Sequence, residues 1–127
     1  MTAEQAANQW LEGARRALIA AEHMLTSKDC EFALFTCHLA VEKGLKGLFV
    51  RTHDTRAPKT HNLEELSEEC GLDLSEEERL ELRELTAFSE FGRYGDETWL
   101  EADATIKNTK YWLTRAEYFL SLCDHEK

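Results

Sequence analysis

The chain has 127 residues, a formal net charge of −10 at pH 7 and 43% hydrophobic residues. This length fits a single domain, residues 1–127, and is sufficient to bury a core. The acidic balance excludes a general DNA coat, because neutralising phosphates requires a basic surface. No apolar run approaches the ~20 residues that span a bilayer, and no signal pattern begins the chain, so we expect a cytoplasmic protein that does not enter the membrane.

The charge is unevenly distributed along the chain. Bases outnumber acids between residues 43 and 61, whereas acids dominate residues 64–90. A small anionic ligand or a restricted RNA contact at the basic segment is therefore compatible with the acidic total. The four cysteines are far apart and form no CxxC or Cys/His cluster, so we predict no metal and no cofactor.

The first predicted helix runs from about Ala3 to Thr26, with Asp29 as a plausible N-cap for the helix that follows. Apolar residues recur at helical spacing and predict its buried stripe: Trp10, Ala14, Ala17, Ala21 and Met24/Leu25. The short polar break at 27–29 predicts that the two helices form an antiparallel pair.

The second helix, Phe32–Arg51, is apolar over most of its circumference, which is typical of a helix in the middle of a bundle. Gly44 and Gly47 each cost about 1 kcal/mol in a helix interior, so close helix packing is the expected compensation. A narrow polar line remains: His38, Glu42 and Lys46, with Lys43 beside it. This line is either a structural i, i+4 ion pair or the wall of a binding site, and the helix alone favours the ion pair.

Three further helices complete the prediction. After a loop at 52–59, Thr60 or Asn62 caps a short helix that ends before Gly71, and Ser75 opens a capping box for a helix from Glu76 to about Phe91. The last helix is predicted from about Thr98 to Cys123, with its core stripe at Leu113, Ala116, Phe119, Leu120 and Cys123. No run alternates with period two, so the fold class is all-α.

Three phrases resemble those of HEPN domains, small helical proteins of higher eukaryotes and prokaryotes: AVEKGLKGLF (40–49), PKTHNLEEL (58–66) and GRYGDE (92–97). They occur in the order and at the spacing of that family, and the similarity spans nearly the whole chain. The resemblance implies an up-and-down bundle of four long helices plus one short helix, often a homodimer. Many members are encoded beside a separate minimal nucleotidyltransferase, which implies a module that holds a nucleotide or binds that partner enzyme.

The resemblance and the chemistry of the side chains give the candidate ligand- or partner-binding residues. Lys43, Lys46, His61 and Arg93 would supply cationic or donor groups to phosphate, and Tyr94 would stack on a base. Together with Glu42, these residues would form a polar pocket at one end of the bundle. Structural alternatives remain open. His61 is equally suited to helix capping, and Arg93 to capping the preceding helix or pairing with Asp96, which would leave Tyr94 to packing.

A second branch of the family consists of metal-independent RNases and toxins of toxin–antitoxin pairs. They use an Arg followed four to six residues later by a His at the start of the last helix, for acid–base chemistry on RNA. After Arg93 the corresponding positions hold Thr98, Trp99 and Leu100. We therefore predict no catalytic residues and keep the RNase as the alternative. The same spacing from Arg56 to His61 occurs by chance often enough to carry little weight.

Overall fold

A computed structural model describes residues 1–90 and 104–125 of the chain. Within these ranges all regular structure is helical, which confirms the all-α prediction. The described residues form five α-helices and one short 3₁₀ turn, Phe88–Glu90. The helices are α1 (Ala3–Thr26), α2 (Cys30–His53), α3 (Leu63–Glu69), α4 (Glu76–Ala87) and α5 (Ile106–His125). Arg93, Tyr94 and Trp99 lie outside the described residues.

Helices α1 and α2 form the predicted antiparallel pair. A Cβ added at Gly47 would meet Trp10, and one added at Gly13 would meet Lys43, so positions rise along one helix as they fall along the other. The connection is tight, with Lys28 in the left-handed region at φ 64°. Helix α1 begins with a capping box that the sequence analysis missed, in which Thr2 and Gln5 exchange hydrogen bonds.

Helix α2 lies at the centre of the bundle, as predicted. Fifteen of its 24 residues are buried, on all sides of the helix, because α1, α3, α4 and α5 all pack against it. Gly44 and Gly47 permit this close packing against two different helices. A Cβ on Gly44 would lie 3.3 Å from Leu120 of α5, and a Cβ on Gly47 would lie 3.0 Å from the Cβ of Trp10 on α1.

The helix ends differ from the prediction at several places, and α2 extends two residues beyond the predicted Phe32–Arg51 at each end. The last helix starts at Ile106 rather than Thr98, because the Thr105 hydroxyl caps it by accepting from the Asn108 amide at 3.1 Å. Helix α4 ends at Ala87 and tightens into the 3₁₀ turn. Asp29 occupies the N-cap position of α2, but its carboxylate makes no capping hydrogen bond, because its ψ of 70° is not the extended backbone of a normal cap.

The remaining capping predictions are confirmed. Asn62 caps α3 by accepting from the Glu65 amide, and Ser75 forms the capping box of α4 with Glu78. Gly71 follows α3 in the left-handed region at φ 77°, a conformation that glycine adopts without a steric cost.

Unburied aromatic side chains on the last helix would favour a homodimer, but two of those on α5 are buried. Trp112 and Phe119 belong to the core, and Trp112 packs edge-on against Phe88. Trp112 thus takes the core position that the sequence analysis gave to Leu113, which is only partly buried. Tyr111 remains exposed but donates its hydroxyl to Glu81. The homodimer is therefore a prediction that now rests on family resemblance rather than on unburied aromatic surface.

All four cysteines are buried, free thiols. Burial raises the pKa of Cys37 and of Cys70 to about 12, and it also raises the pKa of Cys123. None of the helices within residues 1–90 and 104–125 combines the length and apolar character needed to cross a bilayer.

Candidate functional site

A buried carboxylate joins the central helix to the loop that precedes α3. Glu42 accepts a hydrogen bond from Lys46 Nζ through Oε2 and one from His61 Nδ1 through Oε1, both at 2.9 Å. Glu42 and Lys46 are only 6% and 8% exposed. Because a carboxylate can only accept, the proton of the second bond lies on His61 Nδ1. The i, i+4 spacing of Glu42 and Lys46 on α2 places both side chains on one face of the helix.

His38 anchors the same loop from one turn earlier on α2. Its Nε2 donates to the main-chain carbonyl of His61 at 3.1 Å and lies 3.6 Å from Glu42 Oε1. The side chain is 2% exposed, and within the described residues its Nδ1 has no hydrogen-bond partner. His61 is thus held at two points, by its ring and by its backbone.

The charges of this network follow from burial and hydrogen bonding. Burial by itself would raise the pKa of Glu42, but the hydrogen bonds from His61 and Lys46 outweigh it and leave the pKa below its usual value. Burial lowers the pKa of His38 more than its contacts with the His61 carbonyl and Glu42 raise it. At neutral pH Glu42 is therefore an anion and His38 is neutral.

The His61 side chain itself is 64% exposed. Since Nδ1 is bonded to Glu42, Nε2 is the ring nitrogen that can meet a ligand. A small cavity of about 120 Å³ lies next to the network, lined by Phe35, His38, Leu39, Glu42, His61 and Ser89. This volume suffices for a few water molecules or one small group.

A larger cleft lies on the other side of Lys46. The ammonium groups of Lys43 and Lys46 lie 5.8 and 5.7 Å from the centre of the Trp10 ring, within cation–π range. Trp10 and Lys46 also line a cleft of about 480 Å³, which the N-terminal turn of α1 and the loop 54–59 complete. Lys46 thus separates the Glu42 network from this cleft.

The sequence model of the HEPN domain matches residues 7–126. The chain belongs to the HEPN domain family. Among solved structures, the crystal structure of TT1696 from Thermus thermophilus superposes with a TM-score of 0.78 over 93% of this chain and 95% of that chain, at 22% sequence identity. This likeness supports the fold. No curated protein matches the sequence.

The HEPN domain brings together some of the six candidate residues. Glu42, Lys46 and His61 form one hydrogen-bonded group, and Lys43 lies over the same Trp10 ring as Lys46. Arg93 and Tyr94 fall outside the described residues, so their place in the site stays a prediction.

Sequence reasoning gave little weight to several residues around this group. His38 shared the helical line with Glu42, which was a usable signal for its role in the network. The helical spacing places Trp10 in the buried stripe of α1, and the spacing from Arg56 to His61 occurs too often by chance to indicate a site. Their association through the cleft depends on how the loop 54–59 packs against α1, which no local pattern encodes.

A second polar cluster of the HEPN domain joins α4 to α5, and its polar side chains bind one another. Arg115 binds Glu81 at 2.8 Å, and Tyr111 and Tyr118 donate to Glu81 and Glu78. These carboxylates have their donors within the bundle, so the cluster acts as a structural clamp. In the described part of the chain, no group of three His, Cys, Asp or Glu side chains could hold a metal ion.

Proposed function

We propose that this HEPN domain is a non-catalytic module that binds a nucleotide, or the phosphate-bearing site of a partner protein, at the C-terminal end of α2. Its partner would be a separate minimal nucleotidyltransferase, and the domain itself would act as a homodimer. The main support for this proposal is that buried Glu42 accepts hydrogen bonds from Lys46 and from His61. These two bonds hold both ends of the basic segment 43–61 in place.

Two features support a phosphate-bearing ligand at this end. The molecule carries a net charge of −10, yet Lys43, Lys46, Arg56, Lys59 and His61 all come from one short segment. Charge-assisted hydrogen bonds to phosphate contribute about 1.5–3 kcal/mol each, so two or three of these groups suffice for weak but measurable binding. The lack of His at the expected spacing after Arg93 supports a binding role over catalysis.

Isothermal calorimetry with ATP, GTP and a short RNA tests the nucleotide part of the proposal. Arg93→Ala/Lys46→Ala should weaken binding, whereas the exposed pair Lys107→Ala/Lys110→Ala on α5 removes equal charge and should leave it unchanged. Because Lys46 is buried, Arg93→Ala/Lys43→Ala serves as a second variant, and circular dichroism checks that each variant folds. If wild type binds none of the three ligands, the nucleotide function fails.

Co-expression with a minimal nucleotidyltransferase, followed by co-purification, tests the protein partner. Sedimentation at several concentrations tests the homodimer. A monomer at every concentration, with no co-purifying enzyme, would contradict both assembly proposals while leaving the calorimetric result intact.

One observation favours the RNase as the second candidate function. The bond from His61 Nδ1 to Glu42 leaves Nε2 on an exposed ring, an arrangement in which a carboxylate orients an imidazole as a general base. Cleavage of a fluorescent RNA by wild type, abolished in His61→Gln or in Arg93→Ala, would establish this function instead. Absence of cleavage by wild type would exclude it.

A further inference from the structure

The cleft beside Trp10 has the size and the walls of a small-molecule site. It encloses about 480 Å³, within the range of about 300–1,000 Å³ that such sites usually occupy. The walls come from α1, from α2 and from the loop 54–59, and most of them are apolar: Ala3, Ala6, Trp10, Val50, Ala57 and Pro58. A ligand with an apolar, flat part fits these walls.

The charged residues of the cleft are mostly basic. Lys46, Arg56 and Lys59 line it, against the single carboxylate of Asp54. Lys46 is held by Glu42. Among the described residues, no carboxylate forms an ion pair with Arg56 or Lys59, whereas the neighbouring Arg51 pairs with Glu4 at 3.5 Å. Two cations at the mouth of an apolar cleft, on a strongly acidic molecule, indicate an anionic ligand.

The aromatic content of the cleft limits the size of that ligand. Trp10 is the one aromatic residue among the described residues that line it. Proteins that bind single-stranded nucleic acid usually present several rings along a basic groove, one for each successive base. One ring in a cleft of this volume instead suits a ligand that carries a single ring.

We propose that this cleft binds a small organic phosphate with one planar ring, of the size of a nucleoside monophosphate. The ring packs against Trp10 and the apolar walls, and the phosphate meets Arg56 and Lys59. This inference rests on the proposed function, since it names the place and the chemical class of the ligand. It assigns binding to Trp10, Arg56 and Lys59, which lie outside the six candidate residues.

Calorimetry on the full chain tests the cleft with four ligands: AMP, phenyl phosphate, adenosine and inorganic phosphate. AMP should bind at least about tenfold more tightly than adenosine or phosphate, since only AMP engages both the walls and the cations. AMP tighter than phenyl phosphate identifies a nucleotide site. Equal affinities for AMP and phenyl phosphate identify an aryl-phosphate site. Both results support the proposal that the ligand binds in the cleft.

Matched variants locate the binding. Arg56→Ala/Lys59→Ala should weaken AMP binding by about tenfold or more, whereas Lys107→Ala/Lys110→Ala on α5 should change it less than about twofold. Trp10→Leu should also weaken it, and Trp10→Phe, which keeps a ring, should restore most of the affinity. Trp10 packs on Gly47, so a smaller side chain at this position also changes the packing of α1 on α2. The phenylalanine variant and thermal melts of all variants control for this effect.

The outcomes separate the two proposals. AMP binding that survives both the Arg56→Ala/Lys59→Ala and the Trp10→Leu changes would overturn the cleft but leave a nucleotide-binding HEPN domain. No binding of any of the four ligands would overturn the cleft, and ATP and GTP binding would then decide the proposed function separately.

Discussion

Glu42 and Lys46 form a 2.9 Å ion pair one turn apart on α2, and their side chains are only 7% and 10% exposed. Burial distinguishes this pair from an exposed i, i+4 pair, because removing one partner leaves the other charge buried without compensation. The pair also has a third member, His61, which brings the loop before α3 into the same network.

Glu42→Gln should therefore destabilise the fold by about 3–5 kcal/mol, because Lys46 would remain buried without its counter-charge. Urea unfolding monitored by circular dichroism gives the free energy. The control is Glu12→Gln on the exposed face of α1, which should change stability by less than about 0.5 kcal/mol. Equal effects of the two substitutions would show that the buried pair contributes nothing special.

Stability should fall as the solution is acidified, in two steps with different causes. The pKa of His38 is lower in the folded state than its ordinary value of 6.5, so below that value the unfolded chain binds a proton that the folded chain does not. The pKa of Glu42 is also lowered, so its contribution is present above its ordinary value of 4.5 and is lost as the pH falls through the folded value.

His38→Gln isolates the first step. The Gln amide can still donate to the His61 carbonyl but does not titrate, so the loss of stability between about pH 7 and 5 should become shallower than in wild type. Urea unfolding at intervals across this range measures both slopes, and an identical slope above pH 5 would refute the role of His38.

Leu45→Ala should cost about 2–5 kcal/mol, because Leu45 is 1% exposed in the centre of the core and its loss leaves a cavity. Leu80 provides the matched control on α4, where it is 46% exposed. Leu80→Ala should cost less than about 1 kcal/mol. Chemical denaturation of both variants gives the comparison, and a neutral Leu45→Ala would mean that α2 is not the core helix.

Gly47→Ala and Gly13→Ala should have opposite effects although both place a methyl group between α1 and α2. At Gly47 the new Cβ would lie 3.1 Å from the Ala7 carbonyl oxygen and 3.0 Å from the Trp10 Cβ, so the helices must separate, at a cost of about 1–3 kcal/mol. At Gly13 it would meet only the end of the Lys43 side chain at 3.5 Å. There the better helix propensity should stabilise by up to about 1 kcal/mol. Melting temperatures of the two variants test the contrast.

The sequence predicted the features of this fold that depend on local chemistry. The apolar circumference of α2 placed it in the centre, and Ser75, Asn62 and Gly71 marked helix ends because their capping involves residues three or four positions away. The predicted start of the last helix near Thr98 was wrong, since α5 begins at Ile106 after the cap at Thr105, and Thr98 itself lies outside the described residues.

The site was predictable only along the helix. The i, i+4 spacing of residues 38, 42 and 46 identified one polar line, but their burial depends on the loop that returns over them. The contact of His61 with Glu42 joins residues 19 positions apart, and the cleft at Trp10 joins α1 to residues more than 40 positions later. Such contacts are set by the tertiary arrangement, which periodicity does not specify.

The buried thiols of Cys70 and Cys123 are chemical reporters for two separate parts of the bundle. A thiol with a pKa of about 12 is almost entirely protonated at neutral pH, and alkylating reagents attack the thiolate. Labelling of Cys70 therefore has to wait until the end of α3 opens, and labelling of Cys123 until α5 detaches from Gly44. Mass spectrometry of the modified peptides would then time the opening of α3 and α5 separately in a single unmodified protein.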